Sequence, residues 1–332
     1  MYPDVPLWLA VAFVVGGLLA LAWSANRFVD GASSVARLLG ASPFIIGMVV
    51  IGFGTSAPEL AVSTISGWAG HSNLSLGNAY GSNIFNIAVI LGVAALVRPL
   101  AVRPVVSFVA VPLLICVSLL SGLLVCVGKE FSRMDGVVAL AAFGVLLPAY
   151  CWFDKVAKAK ESVTDETEEE ATAHPWLLLL GALMLLVGSS HVLVWGAVDL
   201  ARALGVSELL IGLTVVAAGT SLPELASAVA AARKGRHDFV LGNIIGSNFF
   251  NTLAVVGLSG AICPFREVSP HVLTRDLGVM VLLTLSIGLF GMNFRDAKRD
   301  GRICRLEAVF WLLSFAVYLT FLLHQEVTRM DF

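Results

Sequence analysis

The chain has 332 residues, 58% of them apolar and only 13% charged, with a formal net charge of −2. Soluble domains carry about 25% charged residues, and the mean hydropathy here is +0.89, so a soluble globular fold is excluded. The near-neutral balance, with no basic patch, gives no reason to expect nucleic acid as a partner.

Apolar runs of about 20 residues, enough to cross a bilayer, recur along the whole chain. In order, the predicted spans are 7–26, 43–68, 74–97, 105–127, 134–153, 175–198, 208–232, 239–262, 272–292 and 304–324. The first lacks basic residues ahead of it and is followed by Arg27 and Arg37, so it reads as a retained helix and not a cleaved leader. Cys116, Cys126, Cys151, Cys263 and Cys304 lie in or at the ends of spans without metal-type spacing, as small apolar fillers do. If the N-terminus faces away from the cytoplasm, the connections after odd-numbered spans hold fifteen Lys and Arg and the remainder six. The positive-inside rule then puts both termini on the non-cytoplasmic side of the cytoplasmic membrane.

Sliding the chain by 165 residues aligns 31–99 with 196–264 without a gap, and 28 of the 69 pairs are identical. "GTSAPELA" meets "GTSLPELA", and "GNAYGSNIFN" (77–86) meets "GNIIGSNFFN" (242–251). Five spans separate equivalent positions, an odd number, so the copies insert with opposite orientation. The expected fold is an all-α integral membrane protein: ten transmembrane helices as two inverted five-helix repeats. Residues 1–153 form the first repeat and 175–332 the second, joined by an acidic cytoplasmic linker at 154–174. Inverted repeats are a transporter architecture, with substrate near the midplane where the halves meet.

The duplicated motifs carry chemistry that a membrane span does not accept without cause. Pro58 and Pro223 have no amide hydrogen to bond the carbonyls of Gly54 and Gly219, and each ring crowds the preceding turn. Carbonyls near Thr55 and Thr220 are thereby released, and in hydrocarbon such groups need protein, water or a ligand. Glu59 and Glu224 add two intramembrane carboxylates, expensive and by default functional. At about 5 Å apart and an effective dielectric near 20 they would repel by roughly 3 kcal/mol. Protonation or a bound cation relieves the repulsion, and a cation is the natural partner for the released carbonyls.

Thr55, Ser56, Thr220 and Ser221 bring hydroxyls to the same turns. Ser82 and Asn86, like Ser247 and Asn251, are four apart and share a helix face, with Asn78 and Asn243 one turn earlier. Asn83 and Asn248 sit about 100° away and rank lower. Gly77 with Gly81, and Gly242 with Gly246, permit close helix contact. The donor set approaches the six to eight oxygens that Ca²⁺ prefers, and with no His or Cys in either motif it does not suit zinc, copper or iron.

The paired "GTSxPEL" and "GNxxGSNxFN" segments resemble the α-repeats of the Ca²⁺:cation antiporter superfamily, closest to its bacterial sodium/calcium exchangers. The resemblance implies that Glu59 and Glu224, with the carbonyls of Thr55 and Thr220, hold Ca²⁺. It implies Na⁺ sites that share those glutamates and add Ser56, Ser82, Ser221, Ser247 and the carbonyls of Gly52 and Ala217. Members often carry Asp at one of the positions matching Asn86 and Asn251; both are Asn here, leaving a formal site charge of −2 and the stoichiometry open. The expected function is Na⁺/Ca²⁺ exchange by alternating access, both ions competing for the glutamate pair. The expected partners are those ions and the lipid bilayer, with no cofactor and no protein partner.

The rival reading is a proton-coupled cation exchanger; relatives of that kind are expected to place a glutamate after "GN", where Ala79, Tyr80, Ile244 and Ile245 stand. A channel more often builds its carboxylate ring by oligomer symmetry. An enzyme is not expected, because neither G-x-S-x-G nor H-E-x-x-H occurs.

Overall fold

The computed structural model describes residues 6–70, 72–127, 130–158, 174–204, 217–265, 268–296 and 299–330. It is helical almost throughout. The helices are α1 (Leu7–Leu39), α2 (Pro43–Thr55), α3 (Ala57–Trp68), α4 (Asn73–Val97), α5 (Val106–Val125) and α6 (Arg133–Lys158). They continue with α7 (Pro175–Ala203), α8 (Ala217–Thr220), α9 (Leu222–Arg233), α10 (His237–Ile262), α11 (Thr274–Gly291) and α12 (Arg305–Met330). Two short strands, β1 (Leu100–Val102) and β2 (Gly301–Ile303), pair antiparallel with Ala101 opposite Arg302.

Among the described residues eight helices are long and apolar enough to cross a membrane, and the bent pair α2–α3 makes a ninth. Part of the span expected at 208–232 lies outside the described residues; α8 and α9 are its described part. The linker expected at 154–174 lies mostly outside them too, at 159–173.

The first span is longer than its apolar run. Helix α1 continues to Leu39, so Arg27 and Arg37 stand on helix and not in a connection. Polar residues do not end a helix; Gly40 does. At φ 60° its N–H reaches back to the carbonyls of Ala36 and Arg37, a left-handed cap that glycine adopts without strain.

Both proline motifs break their helix in the same way. Ser56 (φ −83°, ψ 6°) interrupts α2 and α3, which bend by 46°, and Ser221 (φ −93°, ψ 10°) interrupts α8 and α9. Pro58 and Pro223 fall in the first turn after each break, where a missing N–H costs little. A second distortion repeats at the same offset. Wide i→i+5 turns open at Asn86–Leu91 in α4 and Asn251–Val255 in α10, a geometry frequent at functional sites, although Gly47–Ile51, Val106–Ala110 and Val272–Leu277 adopt it too.

Burial sorts the helices. The most apolar window of α10 is 100% buried and that of α4 67%, against 11% for α12. The outer helices turn Trp8, Leu19, Met184 and Leu313 outward, as lipid-facing surfaces do. α1 and α7 pack along one another at close range: a Cβ on Gly17 would lie 2.9 Å from the Leu193 backbone, and one on Gly31 2.8 Å from that of Leu179. α10 is inserted just as tightly against α2, where a Cβ on Gly52 would meet the Ser247 nitrogen at 2.9 Å, and Gly242 and Gly246 lie against the backbone of Phe44 and Met48. The halves interlock: α3 packs on the last turns of α10, and α9 on the last turns of α4.

The connections gather at two ends. At one, β1 pairs with β2, Arg103 bridges Asp238 at 3.0 Å, and Lys234 pairs with Asp30. At the other, Phe131 and Phe265 form a backbone bridge and the Ser269 N–H donates to Asn73 Oδ1 at 2.8 Å. Arg98, against Gly235, and Arg305, on the Leu96 carbonyl, lie at the first end as well.

Candidate cation-binding site

The two helix breaks meet inside the bundle. Ser56 Oγ donates to Glu224 Oε1 at 3.1 Å, and Ser221 Oγ donates to Glu59 Oε1 at 2.8 Å. Each carboxylate is thus held by the serine of the other motif, a reciprocal arrangement that the 165-residue offset requires if the copies face one another. Glu59 and Glu224 are fully buried, as are Thr55, Ser56 and Ser221. Each glutamate spends one oxygen on its serine; the other, Oε2, is buried without a hydrogen-bond partner.

Helices α4 and α10 supply the remaining walls. Asn86 and Asn251 are buried at the mouths of the wide turns. Asn86 Nδ2 donates to Asn248 Oδ1 at 3.0 Å, leaving its own Oδ1 unpartnered, and Asn251 has neither amide atom paired. Ser82 is buried one turn before Asn86. Ser247 Oγ donates to the Gly52 carbonyl at 3.4 Å, which brings these two expected site groups together. Thr55 Oγ1 donates to the Ile51 carbonyl at 2.9 Å and lies 3.4 Å from Asn243 Oδ1. Thr220 ends α8, half-buried, and the backbone of Ala217 begins it; the side chain of Ala217 lies outside the described residues.

Buried oxygens without a partner thus include Oε2 of Glu59 and Glu224 and, on α4 and α10, Oδ1 of Asn83, Asn86 and Asn251. Unpaired oxygens, two of them on carboxylates, are costly in a dry interior. Carboxylate and amide oxygens are the donor chemistry of a hard cation such as Ca²⁺ or Na⁺, not of a thiophilic metal. Among the described residues no group of three or more His, Cys, Asp and Glu comes together. The charge at this site comes from the glutamate pair.

Asn83 and Asn248, ranked below Asn86 and Asn251 by helical spacing, have a packing role that the spacing did not suggest. The 100° rotation takes them off the carboxylates but onto the α4–α10 contact: Asn248 Nδ2 donates to the Asn83 carbonyl at 3.3 Å, and Asn83 Nδ2 to Thr252 Oγ1 at 2.8 Å. Their duplication inside "GSN" was the available signal. Ser63, Ser190 and Ser227 were not foreseen either: Ser190 Oγ donates to the Gly219 carbonyl at 3.0 Å, and the other two appear below. Asp199 and Asp276, given no role from sequence, pair with Arg202 and Arg275.

Known proteins resemble this chain in sequence and fold. The sequence profile of a family described as sodium/calcium exchanger protein matches residues 9–151 and 174–324. The inner membrane protein YrbG of Escherichia coli is 39% identical over 332 residues, covering 93% of this chain and 99% of that one. The sodium/calcium exchanger MaX1 of Methanosarcina acetivorans is 29% identical over 346 residues, covering 93% and 97%. The structure of the sodium-calcium exchanger NCX_Mj, soaked with zero Na⁺ and Ca²⁺, superposes with a TM-score of 0.81 at 28% identity, covering 96% of this chain and 100% of that one. With a profile spanning most of its length and a relative matched end to end, this multi-pass membrane chain belongs to the sodium/calcium exchanger protein family.

Proposed function

We propose that the chain is a secondary active antiporter that exchanges Na⁺ for Ca²⁺ across the cytoplasmic membrane. The observation that carries the reading is the reciprocal pairing of Ser56 with Glu224 and Ser221 with Glu59, each carboxylate keeping one buried oxygen unpartnered. Membership in an exchanger family, and likeness to NCX_Mj, support the ion class.

The ligands are Glu59 and Glu224 with Thr55 and Thr220 for Ca²⁺, and for Na⁺ the same glutamates with Ser56, Ser82, Ser221, Ser247 and the carbonyls of Gly52 and Ala217. Asn86 and Asn251 complete the wall. The chain is two inverted five-helix repeats, 1–153 and 175–332, around one site. Matching backbone breaks at Ser56 and Ser221, and matching wide turns at Asn86 and Asn251, support that division. Both termini face away from the cytoplasm.

Exchange follows from charge. Two carboxylates carry −2, which one Ca²⁺ or two Na⁺ neutralise, so the ions take the site in turn. An empty site leaves two buried charges facing each other, and the bundle does not rearrange around them. Loaded forms cross between the two open states and empty ones do not, which couples the flows.

The deciding experiment is radiolabelled Ca²⁺ uptake into proteoliposomes under imposed Na⁺, K⁺ or H⁺ gradients. Uptake driven by outward Na⁺ alone is expected. Uptake driven by a pH gradient without Na⁺ would move the protein to the proton-coupled class.

A further inference from the structure

We infer that Asn78 and Asn243 are positioning residues for the two glutamates, an assignment that rests on the exchange reading above. Neither is among the ligands. Both act on the backbone that carries a ligand.

Asn78 reaches from α4 to the first turns of α3: its Nδ2 lies 3.1 Å from the Glu59 carbonyl oxygen and 2.9 Å from Ser63 Oγ. Asn243, its repeat counterpart, reaches from α10 to α9: its Nδ2 lies 3.1 Å from Ser227 Oγ and 3.5 Å from the Glu224 carbonyl oxygen, the outer edge of hydrogen-bonding range. The same amide thus braces the same glutamate in each half. The hydroxyls that complete the two braces are not sequence equivalents, since Ser63 aligns with Ala228 and Ser227 with Val62. The contact is kept although the position supplying it has shifted by one residue.

The brace is placed where the backbone needs one. Each glutamate stands in the first turn after a helix break, at Ser56 or Ser221, and a break lets the following segment pivot. An amide anchored on an unbroken, buried helix removes that freedom and fixes the direction in which the carboxylate leaves the backbone. Asn243 also faces the other motif: its Oδ1 is 3.4 Å from Thr55 Oγ1 and 3.5 Å from Ser247 Oγ. One side chain therefore contacts the backbone of one glutamate and a hydroxyl of the opposite motif.

The test is Na⁺-driven Ca²⁺ uptake by Asn78→Ala and Asn243→Ala in proteoliposomes, with KM and maximal rate read separately and scaled to folded protein. Loss of one hydrogen-bonded brace is expected to raise the KM for Ca²⁺ about five- to tenfold, with a smaller change in maximal rate. Asn78→Ser and Asn243→Ser, which keep a donor, are expected to recover part of it. Ser63→Ala and Ser227→Ala probe the same brace from its other end and, combined with the asparagine changes, are expected to add less than their sum. A KM within twofold of wild type in the alanine variants, with only the yield of folded protein reduced, would overturn the assignment and leave the exchange reading intact. If the alanine variants do not fold, an unchanged KM in the serine-to-alanine pair overturns it equally. A wild type with no Na⁺-driven Ca²⁺ flux would end both.

Discussion

Replacing Glu59 with Gln isolates the charge at the site from its shape. The paired oxygen, Oε1, keeps its hydrogen bond from Ser221 at 2.8 Å, and the atom that changes is Oε2, which has no partner to lose. The fold should therefore survive. With the centre of a carboxylate charge about 3 Å from a bound Ca²⁺, removing it forfeits roughly 11 kcal/mol of gross attraction at an effective dielectric of 20. Several kcal/mol return because the neutral amide costs less to bury, leaving about 3–5 kcal/mol. That is a loss of two to three or more orders of magnitude in Ca²⁺ affinity, whereas the gross attraction forfeited by singly charged Na⁺ is only half as large. Na⁺-driven Ca²⁺ uptake should be abolished at concentrations that saturate wild type, and Glu224→Gln should match it because the geometry is reciprocal. Folding is checked by thermal stability in detergent. Wild-type uptake by either variant would refute the shared site.

Three further outcomes follow from other parts of the molecule. Gly246→Ala would push a Cβ against the Met48 backbone; it should destabilise by about 1–3 kcal/mol, read as a lower melting temperature, and an unchanged midpoint would mean that the α2–α10 crossing is looser than described. Asn251→Asp adds a third carboxylate at a buried amide with no partner; Ca²⁺ uptake should become steeply pH-dependent because three crowded carboxylates do not all ionise, and a flat profile would place residue 251 away from the ions. Cys304 is exposed next to β2, at the end where Arg103 meets Asp238. A variant keeping that cysteine alone should react with an impermeant maleimide only from the cytoplasmic face, and labelling from the opposite face would reverse the orientation.

Much of the site was legible because duplication did the work of an alignment. Glu59 and Glu224 stand out against apolar runs, and a second copy at a fixed offset separates a motif from an accident. The breaks at Ser56 and Ser221 were expected from proline's missing donor and appear at those turns. Span boundaries were less legible. α1 runs thirteen residues past its apolar stretch, from 26 to 39, because Arg27, Asp30 and Arg37 tolerate helix at its polar end and only Gly40 stops it. The interhelical contacts of Asn83 and Asn248 were not legible because helical phase assigns each residue to one face, whereas α10 is enclosed on every side and has no idle face.

By itself, the sequence determined the chemical inventory: a membrane chain, two copies of an acidic, hydroxyl-rich broken turn, and no soft metal ligand. These are local properties, set by composition and by proline's covalent structure. Only the tertiary structure decided who holds whom. Serine of one motif binds the glutamate of the other, and asparagines on a neighbouring helix brace the backbone beneath. Such pairings join residues more than 160 apart or on different helices, and they depend on how closely glycine lets α2 and α10 approach. No periodicity along a single helix encodes that distance.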